Sequence, residues 1–237
     1  MNKLKHDTII IIPAFNEEGS ISNVINGCKK NLLQSDILVI NDASTDNTSK
    51  IVRDLNVKVI DLPFNLGVGT ALQTGYKFAA DKNYKYIIQL DADGQHNTKF
   101  LPDIFDKLEK KEFDFIIGSR FLSGEKYKNH SIRRFWINIF AKFLSLLIKE
   151  KLTDPTSGCR AFNQKVLKYC ITDSYNFAYP DADFLLTLHK IGVKFYELPI
   201  VMENRISGKS QYSGFKPLYY VIKMVLSIII VMLRTKE

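Results

Sequence analysis

Short runs of β-branched and other apolar residues alternate with stretches of helical periodicity through the first half of the chain. Such runs are typical of buried strands, and the stretches between them carry apolar residues three or four positions apart. The alternation therefore predicts stacked β-α units and a mainly parallel sheet. The predicted strands cover residues 8–13, 37–41, 57–62, 86–90 and 113–118, and the predicted helices cover residues 20–33, 48–54, 69–81 and 99–110.

The second half of the chain contains two strongly apolar segments. Residues 131–148 carry apolar and aromatic side chains at helical spacing, interspersed with basic ones. Such a face usually packs in a core, but the basic residues favour a helix in a membrane interface. Residues 218–233 are more apolar, yet Lys223 interrupts them and a membrane span needs about 20 residues. We expect this segment to lie in the bilayer interface or on a membrane partner, with a buried soluble helix as the alternative.

Length and composition fit one sizeable domain. The chain has 237 residues, of which 46% are hydrophobic, so it can bury a large core. We expect this domain over residues 1–210, followed by an apolar membrane-associated helix over residues 211–237. The three cysteines form neither a disulfide framework nor a metal-site spacing, and the first residues lack the apolar length of a signal peptide. We therefore expect a protein of the reducing cytosol.

The formal net charge of +8 favours an acidic partner: nucleic acid, anionic lipid or a phosphorylated substrate. No alternation of aromatic and basic residues matches a nucleic-acid-binding motif, so we expect no nucleic acid partner. Basic residues gather around the apolar segment in the second half, which favours a membrane surface. These residues are Lys126, Lys128, Arg133, Arg134, Lys142, Lys149 and Lys151.

The predicted strand over residues 86–90 leads into a turn with two carboxylates, Asp91 and Asp93, and Gly94. Oxygen ligands at a strand end suit Mg²⁺ or Mn²⁺, which usually keep open positions for substrate phosphates. The arrangement therefore indicates a phosphorylated ligand. The alternative is an ordinary solvated turn, because Asp and Gly are common in turns.

Two other predicted strands also end in polar residues. Glu17 and Glu18 follow the first strand, where they could flank a base or face the positive N-terminus of the next helix. Asp42 ends the second strand, where it could accept a hydrogen bond from a base or a ribose. The pair Gly67 and Gly69 is a weak match to a dinucleotide-binding loop, because it follows the third strand rather than the first.

Together these segments resemble the family 2 glycosyltransferases, and within them the polyprenyl-phosphate sugar synthases related to dolichyl-phosphate mannose synthase. The order and spacing of the motifs carry the resemblance over nearly the whole chain. It implies an α/β GT-A fold, a Rossmann-like mainly parallel sheet flanked by helices, with membrane-associated C-terminal helices. It also implies a metal-dependent hexosyltransferase that inverts the configuration at the anomeric carbon of the transferred sugar. The motifs are residues 12–18, 41–46, 65–67, 91–96, 118–120 and 154–162.

The resemblance also implies roles for individual residues. Asp91 and Ala92 would lie beside the ribose and diphosphate of a nucleotide sugar, and Asp93 and Gln95 would bind Mg²⁺ or Mn²⁺. The nucleoside pocket would contain Pro13, Phe15, Glu17, Ile40 and Asp42.

Basic residues would hold the phosphates. Arg120 matches the family's phosphate-contacting arginine, and Arg133 or Arg134 matches the one in the amphipathic segment. Arg205 matches the one in the late loop, which would bind the donor. The family often has a lysine six residues after that arginine, where this chain has Gln211, so Lys209 is the candidate substitute. Asp154 is a candidate base or phosphate-orienting group, although Asp-Pro also opens turns.

The leading hypothesis is transfer of one sugar from a UDP- or GDP-sugar to a polyprenyl phosphate at the cytoplasmic face of the membrane, with a small membrane protein as a possible partner for the C-terminal segment. A second hypothesis is transfer to a glycan hydroxyl, which needs a general base such as Asp183 or Asp154. A nucleotidyltransferase would present a glycine-rich basic loop after the first strand, where this chain has residues 13–18. A basic membrane scaffold would leave the three acidic strand ends without a role.

Overall fold

The computed structural model of the protein describes residues 6–122, 131–173, 175 and 182–203. The predicted C-terminal helix over residues 211–237 lies outside these residues, so the division at residue 210 stays a prediction. The strands are β1 (Thr8–Ala14), β2 (Ser35–Asn41), β3 (Lys58–Asp61), β4 (Tyr86–Gln89), β5 (Phe115–Ser119), β6 (Arg160–Asn163) and β7 (Phe195–Pro199). The helices are α1 (Ile21–Asn31), α2 (Thr48–Asp54), α3 (Val68–Asp81), α4 (Leu101–Glu109), α5 (Ser131–Ile148), α6 (Gln164–Cys170) and α7 (Ala182–Lys190).

In the described part of the chain, the strands form one seven-stranded sheet with the order β3-β2-β1-β4-β6-β5-β7. The pairs β2–β3, β1–β2, β1–β4 and β5–β7 are parallel. Strand β6 runs antiparallel to both of its neighbours, β4 and β5. The predicted mainly parallel α/β sheet is therefore confirmed.

The run of four isoleucines in β1 shows why the sequence of a central strand is apolar at consecutive positions. Ile9 and Ile11 pack into one hydrophobic core, and Ile10 and Ile12 pack into the core on the opposite face. Both faces are covered by helices, so neither set of side chains meets solvent. Helices α3, α5, α6 and α7 contribute to the first core, and α1, α2 and α4 contribute to the second.

The five predicted strands and the predicted helices are present, with bounds that move by a few residues. The sequence analysis did not assign β6, β7, α6 or α7. Strand β6 has only four residues and begins with a charged one, Arg160, while β7 carries Glu197 at its centre. Such short and interrupted patterns carry a weak strand signal.

Helix α5 has the predicted bounds and two different faces. Phe140, Leu144 and Ile148 are buried in the core, whereas Phe143 and Leu146 are exposed, with Leu146 75% exposed. One face therefore packs on the domain, and the other presents apolar side chains next to the exposed Lys142. Among the helices of the described residues, none combines the length and the apolarity that a bilayer crossing requires.

Candidate active site

Polar segments that follow β1, β2 and β4 lie at one edge of the sheet. Ala14 at the end of β1 pairs in register with Asn41 at the end of β2. Strand β4 lies parallel on the other side of β1, so the residues after all three strands leave the sheet at its carboxyl edge. Open parallel sheets bind their ligands at this edge.

The antiparallel direction of β6 brings a fourth segment to the same edge. Arg160, the first residue of β6, pairs with Gln89 at the end of β4 and with Ile117 in β5. The turn over residues 153–159, which precedes β6, therefore lies where β4 and β5 end. This direction of β6 places the turn beside Asp91 and beside Arg120, which follows β5.

Two loops, residues 14–18 and 42–48, form a rim held together by hydrogen bonds. The Asn16 amide donates to Ser44 Oγ over 2.9 Å. The Asn47 amide donates to Glu18 Oε2 over 3.0 Å. Asn16 has a φ of +55°, a left-handed conformation that Asn tolerates well. The rim is therefore preformed, and Glu18 caps the start of α2 rather than α1.

Glu17 and Asp42 are both buried and both engaged by the protein. Glu17 Oε2 accepts a hydrogen bond of 2.8 Å from Ser20 Oγ. The Asp42 carboxylate accepts from the amides of Leu66 and Gly67 at 2.8 and 2.9 Å. Asp42 therefore fixes the turn before α3, in which Gly67 has a φ of +87° that favours glycine.

The remaining residues predicted for the nucleoside pocket differ in their exposure. Ile40 is fully buried within the core beside Ile9 and Ile11. Pro13 and Ala92 are also buried. Phe15 is 40% exposed, so it offers a ring face to a ligand at this edge.

The segment from Asp91 to His96 forms a tight turn directly after β4. Asp93 Oδ1 accepts a hydrogen bond of 3.0 Å from the Gln95 amide, and Gly94 between them has a φ of +74°. His96 is buried, and its Nε2 lies 3.4 Å from Asp91 Oδ2. The turn therefore places Asp91, Asp93 and Gln95 at the carboxyl edge.

The electrostatic surroundings of Asp91 favour its ionised form. Burial by itself raises the pKa of Asp91, but the hydrogen bond with His96 and the charges of Arg120 and Arg160 together lower this pKa below its ordinary value. Asp91 is therefore a carboxylate at neutral pH.

Gly158 packs directly against Asp91. A Cβ atom at this position would lie 2.0 Å from Asp91 Oδ2, which is far inside van der Waals contact. Gln89 fixes the backbone here, because its Nε2 donates to the Gly158 carbonyl over 3.0 Å. The absence of a side chain at position 158 therefore leaves the space that the Asp91 carboxylate occupies.

Gly158→Ala should displace the Asp91 carboxylate and lower kcat/KM for the nucleotide-sugar donor that the resemblance implies by about tenfold or more, since misplacement by about 1 Å can cost about 100-fold. Steady-state kinetics with varied donor would measure this. The matched control is Gly75→Ala, whose Cβ would lie 2.5 Å from Ile11 Cγ2 in the core. It should reduce stability without a selective effect on the donor. Equal donor kinetics in the two variants would contradict the role given to Gly158.

Arg120 and Asp154, predicted separately as a phosphate ligand and a base or orienting group, bind each other. Arg120 Nε and Nη2 donate to the two Asp154 carboxylate oxygens, both over 2.6 Å. Arg120 Nη2 also donates to Thr156 Oγ1 over 3.0 Å. Asp154 is fully buried and Arg120 is 7% exposed. A fork-to-fork pair of this kind fixes the plane of the guanidinium.

Other predicted phosphate ligands are less fully described. Arg133 and Arg134 lie in the first turn of α5. Arg205 and Lys209 lie outside the described residues, as do Lys126 and Lys128. Asp183 lies in α7.

The oxygen donors of the 91–96 turn fit a hard divalent cation. Asp93 and Gln95 share one tight turn, and Asp91 lies beside them as a carboxylate. Within the residues that the structure describes, no group of three or more His, Cys, Asp and Glu side chains surrounds one point. A cation at this turn would therefore take its remaining ligands from the diphosphate and water, as Mg²⁺ usually does.

The sequence analysis gave no role to Gly158, Arg160 or Glu197. Arg160 is buried, and its Nε donates to the Ser157 carbonyl over 2.9 Å, which stabilises the turn before β6. The available signal was a charge within an apolar pattern, since Arg160 and Glu197 both stand among apolar residues. A charged residue at a buried position needs partners, so it marks a structural or functional contact.

Two relatives cover most of the chain. Undecaprenyl-phosphate mannosyltransferase of Micrococcus luteus is 28% identical over 217 residues, with 87% of each chain covered. UDP-N-acetylglucosamine–dolichyl-phosphate N-acetylglucosaminyltransferase of Methanococcus voltae is 32% identical over 177 residues, covering 67% of this chain and 70% of the relative.

A solved structure confirms the predicted GT-A fold. Glucosyl-3-phosphoglycerate synthase from Mycobacterium tuberculosis, in complex with Mn²⁺, UDP and phosphoglyceric acid, superposes with a TM-score of 0.70. The two sequences are 16% identical, and the alignment covers 97% of this chain and 80% of the other. At this identity the likeness concerns the fold. The model of glycosyl transferase family 2 matches residues 9–170, and the chain therefore belongs to this family of transferases.

Proposed function

We propose that the protein transfers a sugar, with inversion, from a UDP- or GDP-sugar to a polyprenyl phosphate at the cytoplasmic face of the membrane. The main support is that the turn over residues 153–159 contacts both Asp91, through Gly158, and the buried Arg120, through Asp154, at one edge of the sheet. Such a site has carboxylates for a cation–diphosphate group and a guanidinium for a second phosphate. The names of both relatives share a polyprenyl-phosphate acceptor and differ in the sugar. This shared acceptor supports a polyprenyl phosphate as the acceptor here.

The donor would lie along the carboxyl edge. Its nucleoside would enter the rim formed by residues 14–18 and 42–48, beside the exposed ring of Phe15, and its diphosphate would reach the turn of Asp91 and Asp93. A divalent cation, Mg²⁺ or Mn²⁺, held by Asp93 and Gln95 would stabilise the negative charge that the leaving nucleoside diphosphate gains. Gly158 and His96 would hold Asp91 in place during this step.

The protein would position the acceptor phosphate and would not need to deprotonate it. A polyprenyl phosphate is already ionised at neutral pH, so its oxygen needs no strong base, and positioning is the main requirement. Arg120 would contact this phosphate, and Asp154 would fix the orientation of Arg120. Contacts of Arg133, Arg134, Arg205 and Lys209 with phosphates stay predictions, as do a membrane-bound C-terminal segment and a small membrane protein partner.

We expect the purified protein, given radiolabelled UDP- and GDP-sugars with Mn²⁺, to label polyprenyl phosphate with one of them. The product should be cleaved by mild acid, because it is a glycosyl phosphodiester. Polyprenol of the same chain length is the matched control and should stay unlabelled, since it lacks the ionised nucleophile. Acid-resistant product, or equal labelling of polyprenol, would instead support transfer to a hydroxyl.

A further inference from the structure

Glu197 lies at the centre of β7 and binds the turn that carries Asp154. Its two carboxylate oxygens accept hydrogen bonds from the Thr153 amide, both at 2.8 Å, and from Thr153 Oγ1 at 2.8 Å. The Asp154 amide donates to Glu197 Oε1 over 2.9 Å. One side chain therefore fixes the backbone of two consecutive residues.

The same two residues connect Glu197 to Arg120. Thr153 Oγ1 lies 2.6 Å from Ser119 Oγ, which immediately precedes Arg120. The Asp154 carboxylate accepts from the guanidinium of Arg120 and also from the Arg120 amide, at 3.1 Å. Strand β7, the turn and the end of β5 are thus joined by a continuous chain of hydrogen bonds.

Glu197 is half-buried, and a carboxylate in this setting depends on the hydrogen bonds that it accepts. Burial raises the pKa of Glu197 above its ordinary value, although the hydrogen bonds from Asp154 and Thr153 act in the opposite direction. The negative charge of Asp154 nearby also raises this pKa. The hydrogen bonds from Thr153 and Asp154 offset the desolvation of this half-buried carboxylate, so the position of Glu197 and that of the turn depend on each other.

We propose that Glu197 is a positioning residue for the acceptor phosphate: it fixes the turn at Thr153 and Asp154, and Asp154 in turn fixes the guanidinium of Arg120. This inference rests on the proposed function, in which Arg120 contacts the phosphate of the acceptor. Loss of the Glu197 contacts lets the turn shift. The guanidinium of Arg120 then no longer holds the acceptor phosphate oxygen in line with the anomeric carbon of the sugar. Gly158, at the other end of the same turn, is held separately by Gln89, so binding of the donor at the rim and the 91–96 turn changes much less than binding of the acceptor.

The test compares Glu197→Gln with the wild-type protein in the sugar-transfer assay. Gln keeps the shape but offers one acceptor oxygen in place of two, so it cannot satisfy both amides and the hydroxyl. We expect the KM for polyprenyl phosphate to rise about tenfold, a loss of about 1.4 kcal/mol, while the KM for the donor stays within about twofold. Thr153→Val, which replaces the hydroxyl with a methyl group and keeps the backbone amide, should give a smaller change in the same direction. The matched control is Glu150→Gln, because Glu150 is exposed just after α5.

Measuring the effect of Glu197→Gln in a protein that already carries Arg120→Lys separates positioning of Arg120 from general support of the fold. In Arg120→Lys, which cannot form the fork with Asp154, adding Glu197→Gln should change the acceptor KM no further. A full-sized effect in that background, a parallel change in the donor KM, or an unchanged acceptor KM in both Glu197→Gln and Thr153→Val would each overturn the inference. If the wild-type protein uses polyprenyl phosphate and the variants match it, this inference alone fails. If the wild-type protein labels no polyprenyl phosphate, the proposed function fails with it.

Discussion

Asp93→Asn should lower kcat by at least about 100-fold at saturating Mn²⁺, with the fold intact. The cation that Asp93 would hold contributes several kcal/mol of transition-state charge stabilisation, and each 1.4 kcal/mol or so is a factor of about ten in rate. Asn keeps the size of the side chain and one oxygen, so the turn with the Gln95 amide can still form. The measurement is kcat in the transfer assay over a Mn²⁺ titration.

A matched replacement elsewhere separates this effect from the loss of a charge. Asp54 is exposed at the end of α2, at the edge of the sheet away from the site, and Asp54→Asn should keep wild-type rates. If Asp93→Asn kept the wild-type kcat under saturating metal, the assignment of Asp93 as a metal ligand would have to be abandoned.

Asp154→Asn should reduce the free energy of unfolding by about 3–5 kcal/mol, because removing one partner of a buried ion pair leaves the other charge uncompensated. Arg120 would then remain buried without a carboxylate partner at position 154. Urea unfolding followed by circular dichroism measures this as a lower midpoint with an unchanged slope. Asp106→Asn, which breaks an exposed pair with Lys110, should leave the midpoint unchanged.

The double replacement Arg120→Met with Asp154→Leu distinguishes stability from transfer. Apolar residues of similar volume often replace a buried ion pair without loss of stability, so this variant should recover most of the unfolding free energy. It should nevertheless transfer no sugar, since the guanidinium is absent. Transfer at wild-type rates by the double variant would show that the pair supports only the fold.

The central strands and the strand-end segments could be predicted because both depend on local pattern. Strand β1 is apolar on both faces, and parallel strands bring their carboxyl ends to one edge whatever lies between them. Strand β6 could not be predicted from its own four residues, since the buried Arg160 donates hydrogen bonds to carbonyls of its preceding turn, and this contact depends on the fold. Its antiparallel direction, which places Gly158 against Asp91, follows from pairing with β4 and β5.

Contacts between residues far apart in the chain could not be predicted from the sequence either. Arg120 and Asp154 are 34 positions apart, and the sequence analysis assigned them separately, Arg120 as a phosphate ligand and Asp154 as a base or phosphate-orienting group. Their mutual contact depends on the approach of the 153–159 turn to the end of β5. The resemblance to the family 2 glycosyltransferases identified both residues without showing that they form one unit.

The hydrogen bonds between residues 14–18 and 42–48 have a consequence for engineering donor preference. Asn16 and Glu18 on one loop depend on Ser44 and Asn47 on the other, so each loop takes its shape from its neighbour. Replacing one loop alone with that of a homologue that binds a different nucleotide would break the hydrogen bonds between the two loops of the rim. Chimeras that exchange both loops as a cassette should retain a working binding cleft where single-loop chimeras lose it.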